Sequence, residues 1–142
     1  MKDLLDVNVL LALAWPNHVS HNASIAWITS RPQKGFVTCP LTECGFIRLS
    51  MNPAIVSEPT TIKSVLDLLS NYKTLPGYEF WPDTLEAAHV FSHGITPMGH
   101  RQITDAYLLA LARKNKGRLV TFDKGILALC AGKQDDSLLI LD

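Results

Sequence analysis

Four carboxylate side chains are spaced so that an α/β fold brings them to one edge of its sheet: Asp6, Glu43, Asp105 and Asp123. Parallel α/β sheets collect their chemistry along the edge where the strands reach their carboxyl ends. Carboxylates packed together repel one another strongly unless a cation or a proton separates them. Because hard cations prefer oxygen ligands, four acids around one cleft predict a Mg²⁺ or Mn²⁺ site.

Two of these acids come at the ends of predicted strands. Asp6 ends the first strand, residues 2–6 (KDLLD), and Asp123 follows the fourth, residues 118–122 (RLVTF). Both strands are short apolar runs bounded by turn or helix signals. Asp6 and Asp123 are therefore expected directly on the carboxyl edge of the sheet.

The other two acids lie in the first turns of helices. Pro40 opens a helix after the second strand, residues 36–38 (FVT), and this places Glu43 near the same edge. Asp105 begins the helix at residues 105–116 (DAYLLALARKNK), which feeds the fourth strand. A helix that feeds a parallel strand runs antiparallel to it, so its N-terminus also lies at the carboxyl edge.

The remaining pattern alternates strands with helices from end to end. A third strand is predicted at residues 78–81, and a last one at residues 137–141, at the sheet edge. The predicted helix caps are Ser20 or Asn22, Ser57, Asp83 in a capping box with Glu86, and Thr104. This order predicts a single α/β domain over residues 1–142, with a central, mostly parallel sheet of about five strands and helices on both faces.

Composition argues against several classes of protein. The 142 residues suit one domain, and with 47% hydrophobic and 18% charged residues the chain can fill a core. No apolar run approaches the ~20 residues that span a bilayer, and the three cysteines lack the spacing of a zinc ribbon, so we expect a cytoplasmic protein with reduced thiols. Thirteen basic and thirteen acidic residues balance, which argues against a dedicated duplex-DNA binder. The sequence also lacks a Walker A motif, a GxGxxG loop and a nucleophile elbow.

Each acid also has a purely structural explanation. Asp105 is a favourable charge at a helix N-terminus, worth ~0.3–1 kcal/mol, and Glu43 complements a helix dipole in the same way. Asp123 suits a turn before Gly125, and Asp6 suits a cap on the following helix. The convergence of all four on one edge favours a functional cluster. Such a cluster, holding metal ions ~3.5–4 Å apart, permits phosphodiester hydrolysis.

Three segments of the chain resemble the PIN domain and, within it, the VapC-type toxins of bacterial toxin–antitoxin pairs. They are LLDVNVLLAL at the start, CPLTECGFIRLSMNP in the middle and ITDAYLLALARKNKGRLVTFDKGI near the end. The first and last segments are specific in combination, and the middle one, with its Phe-Ile-Arg and Asn-Pro, is similar to actinobacterial VapC members. The resemblance covers nearly the whole chain.

This resemblance implies a metal-dependent endoribonuclease. The four acids match the acidic positions of the family, as catalytic residues and as metal ligands. Asn8 matches the polar position that supports the site, and Thr121 matches the hydroxyl position two residues before the last acid. The resemblance further implies Mg²⁺ or Mn²⁺ as cofactor, a structured tRNA or rRNA as substrate, neutralisation by a small VapB-type antitoxin, and a homodimer.

Two arginines are candidate contacts to the substrate. Arg101 lies in a predicted loop, residues 94–102, where it either holds an RNA phosphate or pairs with one of the acids when metal is absent. Arg48 follows Glu43 by five residues, and it contacts RNA or the antitoxin or forms a surface ion pair worth little. A further basic run is expected at the opposite edge, where it complements a helix dipole: Arg113, Lys114, Lys116 and Arg118.

Two other functions stay open at the level of sequence. A haloacid-dehalogenase-like phosphatase needs two carboxylates spaced as DxD after the first strand, and the second position here is Asn8. A non-catalytic, receiver-like binding module needs a phosphorylatable aspartate at the end of a middle strand. The third strand here runs into Trp81-Pro82-Asp83, and Asp83 is better explained as a helix cap.

Overall fold

A parallel sheet organises the molecule in the computed structural model, which describes residues 1–31, 34–92, 94–132 and 135–142. Within these residues the sheet has five strands in the order β3-β2-β1-β4-β5, and every neighbouring pair is parallel. The strands are β1 Asp3–Leu5, β2 Val37–Thr38, β3 Glu79–Phe80, β4 Arg118–Thr121 and β5 Leu138–Ile140. The prediction of a mostly parallel, five-stranded sheet is confirmed, with the last strand at an edge.

Helices connect the strands and cover the sheet. They are α1 Val7–Ala14, α2 His21–Thr29, α3 Pro40–Ser50, α4 Ile62–Tyr72, α5 Ala87–Val90 and α6 Ile103–Lys114, with 3₁₀ helices at His100–Gln102 and Lys124–Cys130. Among the described residues, no helix is both long and apolar enough to cross a membrane.

Two apolar layers lie on opposite faces of the sheet, as the alternation of side chains along a strand requires. Leu4 belongs to the layer beneath α6, together with Ala106 and Leu109. The next residue, Leu5, belongs to the other layer, with Phe46 of α3 and Val65 of α4. Because both faces of the central strands are covered, consecutive residues of β1 such as Leu4 and Leu5 are both apolar and buried.

Two predicted helix starts are wrong, for local reasons. α4 begins after Thr61, whose hydroxyl accepts a hydrogen bond from the Ser64 amide (3.1 Å), and not after Ser57. Pro59 disfavours helical geometry at the residue before it, so a helix cannot run through from Ser57. Thr104 lies inside α6, because the 3₁₀ helix at His100–Gln102 leads directly into it.

The predicted capping box of Asp83 with Glu86 is also wrong. α5 starts at Ala87, spans four residues, and has Glu86 at its N-cap position without a side-chain hydrogen bond. The preceding segment is tied to α6 instead: the Lys114 ammonium donates to the hydroxyl (2.7 Å) and the carbonyl (3.3 Å) of Thr84.

A buried ion cluster anchors the amino end of β1. The Asp3 side chain is fully buried and accepts hydrogen bonds from Arg31, just beyond α2, and from Nε of Arg118 at the start of β4 (2.5 Å). Arg31 also lies over the ring of Trp27, 4.3 Å from its centroid. Asp3 therefore joins α2 to the two central strands at the edge opposite the predicted site.

We expect Asp3→Ala to lower the free energy of unfolding by about 3 kcal/mol, because it leaves two guanidinium groups without their buried counter-charge. Urea unfolding followed by circular dichroism measures this loss. Asp67→Ala is the matched control, since Asp67 pairs with Lys63 on the surface and its side chain is 62% exposed. Its cost should stay below about 0.5 kcal/mol. Equal effects of the two substitutions would show that the Asp3 cluster does not stabilise the fold.

Candidate active site

Asp6 stands at the junction between β1 and α1, where the extended strand backbone turns into a helix. Its Oδ1 accepts a hydrogen bond from the Val7 amide (2.7 Å), and its Oδ2 accepts one from the Thr121 hydroxyl (2.7 Å). Burial raises the pKa of Asp6 against these two hydrogen bonds, and the charge of Asp123 raises it further. The carboxylate is thus held in one orientation in an environment that penalises its charge.

The Thr121 hydroxyl connects three segments of the site. While it donates to Asp6, its oxygen accepts from Nδ2 of Asn8 (3.1 Å) and from the Asp123 amide (3.0 Å). Oδ1 of Asn8 in turn accepts from the Phe122 amide (3.3 Å). Asn8 and Thr121, the two supporting residues predicted from the sequence, therefore link the end of β1 to the end of β4.

Asp105 lies in the first turn of α6, as the sequence predicted, and its side chain is half-buried. Burial raises its pKa to about 6, and the charges of Asp6 and Asp123 contribute to that rise. Asp123 is exposed, and its Oδ1 accepts a hydrogen bond from the Gly125 amide (2.8 Å). These three aspartates share one electrostatic environment at the carboxyl edge of the sheet.

Glu43 is engaged by a different set of residues. Its Oε1 lies 2.5 Å from the ammonium of Lys73 and accepts a hydrogen bond from the Thr38 hydroxyl (3.2 Å). Its charge is not among those that raise the pKa of Asp6 or Asp105. Sequence reasoning did not find Lys73, because it lies 30 residues from its partner and follows α4 in no recognisable motif.

The aspartates offer the oxygen ligands that a hard cation prefers, but their side chains are not arranged as a complete coordination site. Their oxygen donors, and the mutual repulsion that raises the pKa of Asp105, are what a divalent cation would relieve. In the ranges that the structure describes, however, no three Asp, Glu, His or Cys side chains are arranged to hold a metal ion. The fourth predicted ligand, Glu43, has a lysine partner instead.

The two arginines predicted to contact substrate are exposed cations. Arg101 belongs to the 3₁₀ helix that leads into α6, and Arg48 lies in the last turn of α3. Neither makes a hydrogen bond or ion pair with another described residue, so Arg101 does not pair with an acid here. The basic run at the C-terminal end of α6 is used elsewhere: Arg113 pairs with Asp135 (2.7 Å) and Arg118 with Asp3.

Comparison of the sequence with known proteins identifies the family to which it is similar. The family model of the PIN domain matches residues 4–131. Ribonuclease VapC39 of Mycobacterium tuberculosis strain H37Rv is 43% identical over 128 residues, which cover 89% of this chain and 91% of the relative. Ribonuclease VapC38 of the same strain is 41% identical over 126 residues, which cover 89% of this chain and 88% of the relative.

Solved structures share the fold at much lower identity. Mycobacterium tuberculosis VapC20, described as a Sarcin-Ricin loop cleaving toxin, superposes with a TM-score of 0.63 at 12% identity, covering 89% of this chain and 94% of that one. VapBC2 from Rickettsia felis, bound to a DNA fragment from its promoter, gives 0.61 at 11% identity over the full length of both chains. FitAcB from Neisseria gonorrhoeae gives 0.60 at 19% identity, covering 99% and 97%.

Asp105→Asn should stabilise the protein in EDTA at pH 7.5, by about 1 kcal/mol after allowing for solvent screening of a half-buried group. The raised pKa means that the folded state keeps the Asp105 proton more tightly than the unfolded chain. This contribution to stability is fully present below pH ~3.8 and is lost as the pH rises through about 6. The substituted protein should lack this decline.

Thermal unfolding in EDTA between pH 4.5 and 8 tests the expectation. The two melting temperatures should approach each other at the acid end and separate at neutral pH. A constant difference across the whole range would contradict it, because titration of Asp105 would then not be the cause. Asp67→Asn, a surface substitution on α4, is the control and should shift the transition little at any pH.

Proposed function

The chain belongs to the PIN domain family, and from this we propose that it is a metal-dependent endoribonuclease toxin that hydrolyses RNA phosphodiester bonds. The observation that carries the proposal is the set of Asp6, Asp105 and Asp123, whose charges act on one another at the carboxyl edge of the sheet. The named ribonucleases at 41–43% identity over about nine-tenths of the chain support it. A structured tRNA or rRNA is the proposed substrate class.

We assign the binding of Mg²⁺ or Mn²⁺ to the three aspartates together with Glu43. A cation bound there supplies charge stabilisation at the phosphate that is being cleaved. The protein contributes orientation: the Thr121 hydroxyl fixes Oδ2 of Asp6, and the Asp123 amide is fixed by the same oxygen. Asn8 keeps the Thr121 hydroxyl pointed at Asp6, because its amide donates to the lone pair of Thr121.

Hydrolysis adds a water oxygen to phosphorus and breaks the bond to one ribose oxygen, which leaves with a proton. Exposed cations near the site would bind the flanking phosphates in this proposal. Arg101 and Arg48 fit that role, because neither is neutralised by another described residue. The half-buried position of Asp105 also keeps part of the site away from bulk water, which strengthens its electrostatic interactions.

An antitoxin is the proposed protein partner, and a homodimer the proposed assembly. A structure from Klebsiella pneumoniae that shares this fold is described as a toxin–antitoxin complex. A VapB-type antitoxin that covers the carboxyl edge would neutralise the toxin. We also propose that it acts in the cytoplasm, where its RNA substrate would be present.

The two rival functions lack the residues that they need. In the position where a dehalogenase-like phosphatase carries its second carboxylate, Asn8 uses its amide to bind Thr121 and Phe122. Strand β3 lies at an edge of the described sheet, so Asp83 does not follow a middle strand as a receiver would require. An assay with a phosphomonoester distinguishes the phosphatase cheaply from the nuclease.

Purified protein should cut members of a tRNA and rRNA panel at discrete positions in Mg²⁺ or Mn²⁺ and not in EDTA. Asp6→Asn and Asp105→Asn should each lower the cleavage rate at least 100-fold, because each removes a charge from the cation-binding set. Circular dichroism should show that both proteins stay folded. Asp67→Asn, a substitution on the exposed surface of α4, should cleave at the rate of the unchanged chain.

A well-folded Asp105→Asn protein that cleaves at the full rate would refute the assignment of the site. Cleavage that persists in EDTA would refute metal dependence. If the panel is not cut and a phosphomonoester is hydrolysed instead, the phosphatase alternative replaces the nuclease.

Arg101→Ala should raise KM for the cleaved RNA about three- to tenfold with little change in kcat, because it removes one phosphate contact that is uniform in ground and transition states. KM should also be measured at several salt concentrations. The slope of log KM against the logarithm of the salt concentration should be smaller by about one for Arg101→Ala, because one phosphate contact is lost. Lys116→Ala is the control, since Lys116 follows α6 at the opposite end of that helix. An equal rise in KM for both proteins would indicate an effect of net charge and not a contact at residue 101.

A further inference from the structure

Lys73 reaches from the end of α4 to an acid of the proposed site. Its ammonium lies 2.5 Å from Oε1 of Glu43, and the Thr38 hydroxyl donates to the same oxygen (3.2 Å). Thr38 in turn hydrogen-bonds the Tyr78 hydroxyl (2.7 Å). Three elements, the end of β2, the end of α4 and the segment before β3, therefore cooperate to hold this one carboxylate.

Two aromatic rings favour a charged lysine at this place. The Lys73 ammonium is 5.8 Å from the ring centroid of Tyr78 and 5.4 Å from that of Phe80, both within the range of cation–π attraction. Burial lowers the pKa of Lys73, but its interactions with Glu43 and Tyr78 together outweigh burial and raise the pKa above its usual value. The two rings and the Glu43 carboxylate thus all favour a charged ammonium at this position.

Glu43 has partners of its own, apart from the three aspartates. Besides burial, the charge of Asp123 raises the pKa of Asp6, and the charges of Asp6 and Asp123 raise that of Asp105, whereas the charge of Glu43 contributes to neither. Strand β2, which leads into α3 and Glu43, lies directly beside β1, which leads into Asp6. Glu43 is thus close in the fold to a site that lacks a closed set of ligands in the described residues, while a lysine occupies its carboxylate.

Lys73 loses little free energy when it gives up Glu43 to another cation. The Lys73 side chain is 37% exposed and that of Glu43 only 16%, so a released ammonium turns towards water while a released carboxylate needs a new cation. A long, flexible lysine stem makes this movement easy, because the ammonium is a compact charge that needs no fixed geometry. The ion pair is weak enough to be replaced by a divalent ion, since partly exposed pairs contribute little.

We propose that Lys73 is a positioning residue that acts as a placeholder cation: it holds Glu43 in the metal-free protein and yields it when a divalent cation binds the aspartates. This inference rests on the proposed function and adds a regulation of the same site. Competition from Lys73 raises the concentration of divalent cation at which the fourth carboxylate joins the site. The metal-free protein is also spared a fourth uncompensated charge near the aspartates.

Binding of Mn²⁺ alone tests the exchange, with free Mn²⁺ measured by electron paramagnetic resonance in the absence of RNA. Lys73→Met keeps an apolar stem against Tyr78 and Phe80 and removes the competing charge. It should bind Mn²⁺ about fivefold or more tightly than the unchanged chain. Lys73→Arg, which keeps a cation beside Glu43, should restore the original affinity to within about twofold.

A matched control separates the exchange from a general effect of charge. Lys63→Met removes a lysine of the same helix that pairs with Asp67 at 2.8 Å but is 84% exposed, and it should change Mn²⁺ affinity less than twofold. In a Glu43→Gln background, Lys73→Met should likewise have an effect below about twofold, because the carboxylate for which lysine and metal compete is gone. An equal gain in both backgrounds would overturn the exchange.

The remaining outcomes are also decisive. If Lys73→Met does not fold, as judged by circular dichroism, Lys73→Gln takes its place with the same expected gain. Unchanged or weaker Mn²⁺ binding in a folded Lys73 variant refutes the inference, even where the parent chain cleaves RNA in a metal-dependent way. If the protein cleaves no RNA but Lys73→Met still binds Mn²⁺ more tightly in a way that depends on Glu43, the proposed function is refuted and the exchange is supported. Absence of Mn²⁺ binding in every protein refutes both.

Discussion

Repulsion among aspartates at the carboxyl edge of the sheet is the constraint around which this molecule is built. Asp6 is buried, Asp105 half-buried and Asp123 exposed, and the first two have raised pKa values because burial and neighbouring negative charge act together. Such an arrangement costs stability unless something compensates it. The compensation within the protein is a small hydrogen-bond network centred on the Thr121 hydroxyl, which satisfies Asp6 and ties β1 to β4.

At the other edge of the sheet, charges of opposite sign are paired. There the buried Asp3 is neutralised by two arginines, so the amino end of the central strands is held by attraction while the carboxyl end carries repulsion. The apolar layers on both faces lie between these two edges. The end of the sheet that has no proposed chemistry thus has its buried charge paired, whereas the acidic end keeps neighbouring charges of one sign.

Much of this arrangement is predictable from sequence because alternation of strands and helices fixes which residues reach the carboxyl edge. Asp6 and Asp123 follow strands, and Asp105 opens the helix that returns to the same edge, so no long-range information is needed to group them. The engagement of Glu43 is different. It depends on Lys73, Thr38 and Tyr78, which three separate elements bring together, and no local pattern specifies such a contact. Two predictions of helix starts were wrong for a related reason. Lys114 binds the segment after Asp83, at Thr84, and the 3₁₀ helix before α6 places Thr104 inside that helix.

The strand order has a consequence for the time at which the site comes into existence. β1 is the first strand of the chain but the centre of the described sheet, and one of its two neighbours, β4, begins at residue 118 of 142. Chains emerge from the ribosome with the N-terminus first. Until β4 has emerged, β1 has an open edge, Asp6 lacks the Thr121 hydroxyl, and Asp123 has not been made. Translation that stops before this point therefore yields chains without the assembled acidic site, however many of them accumulate.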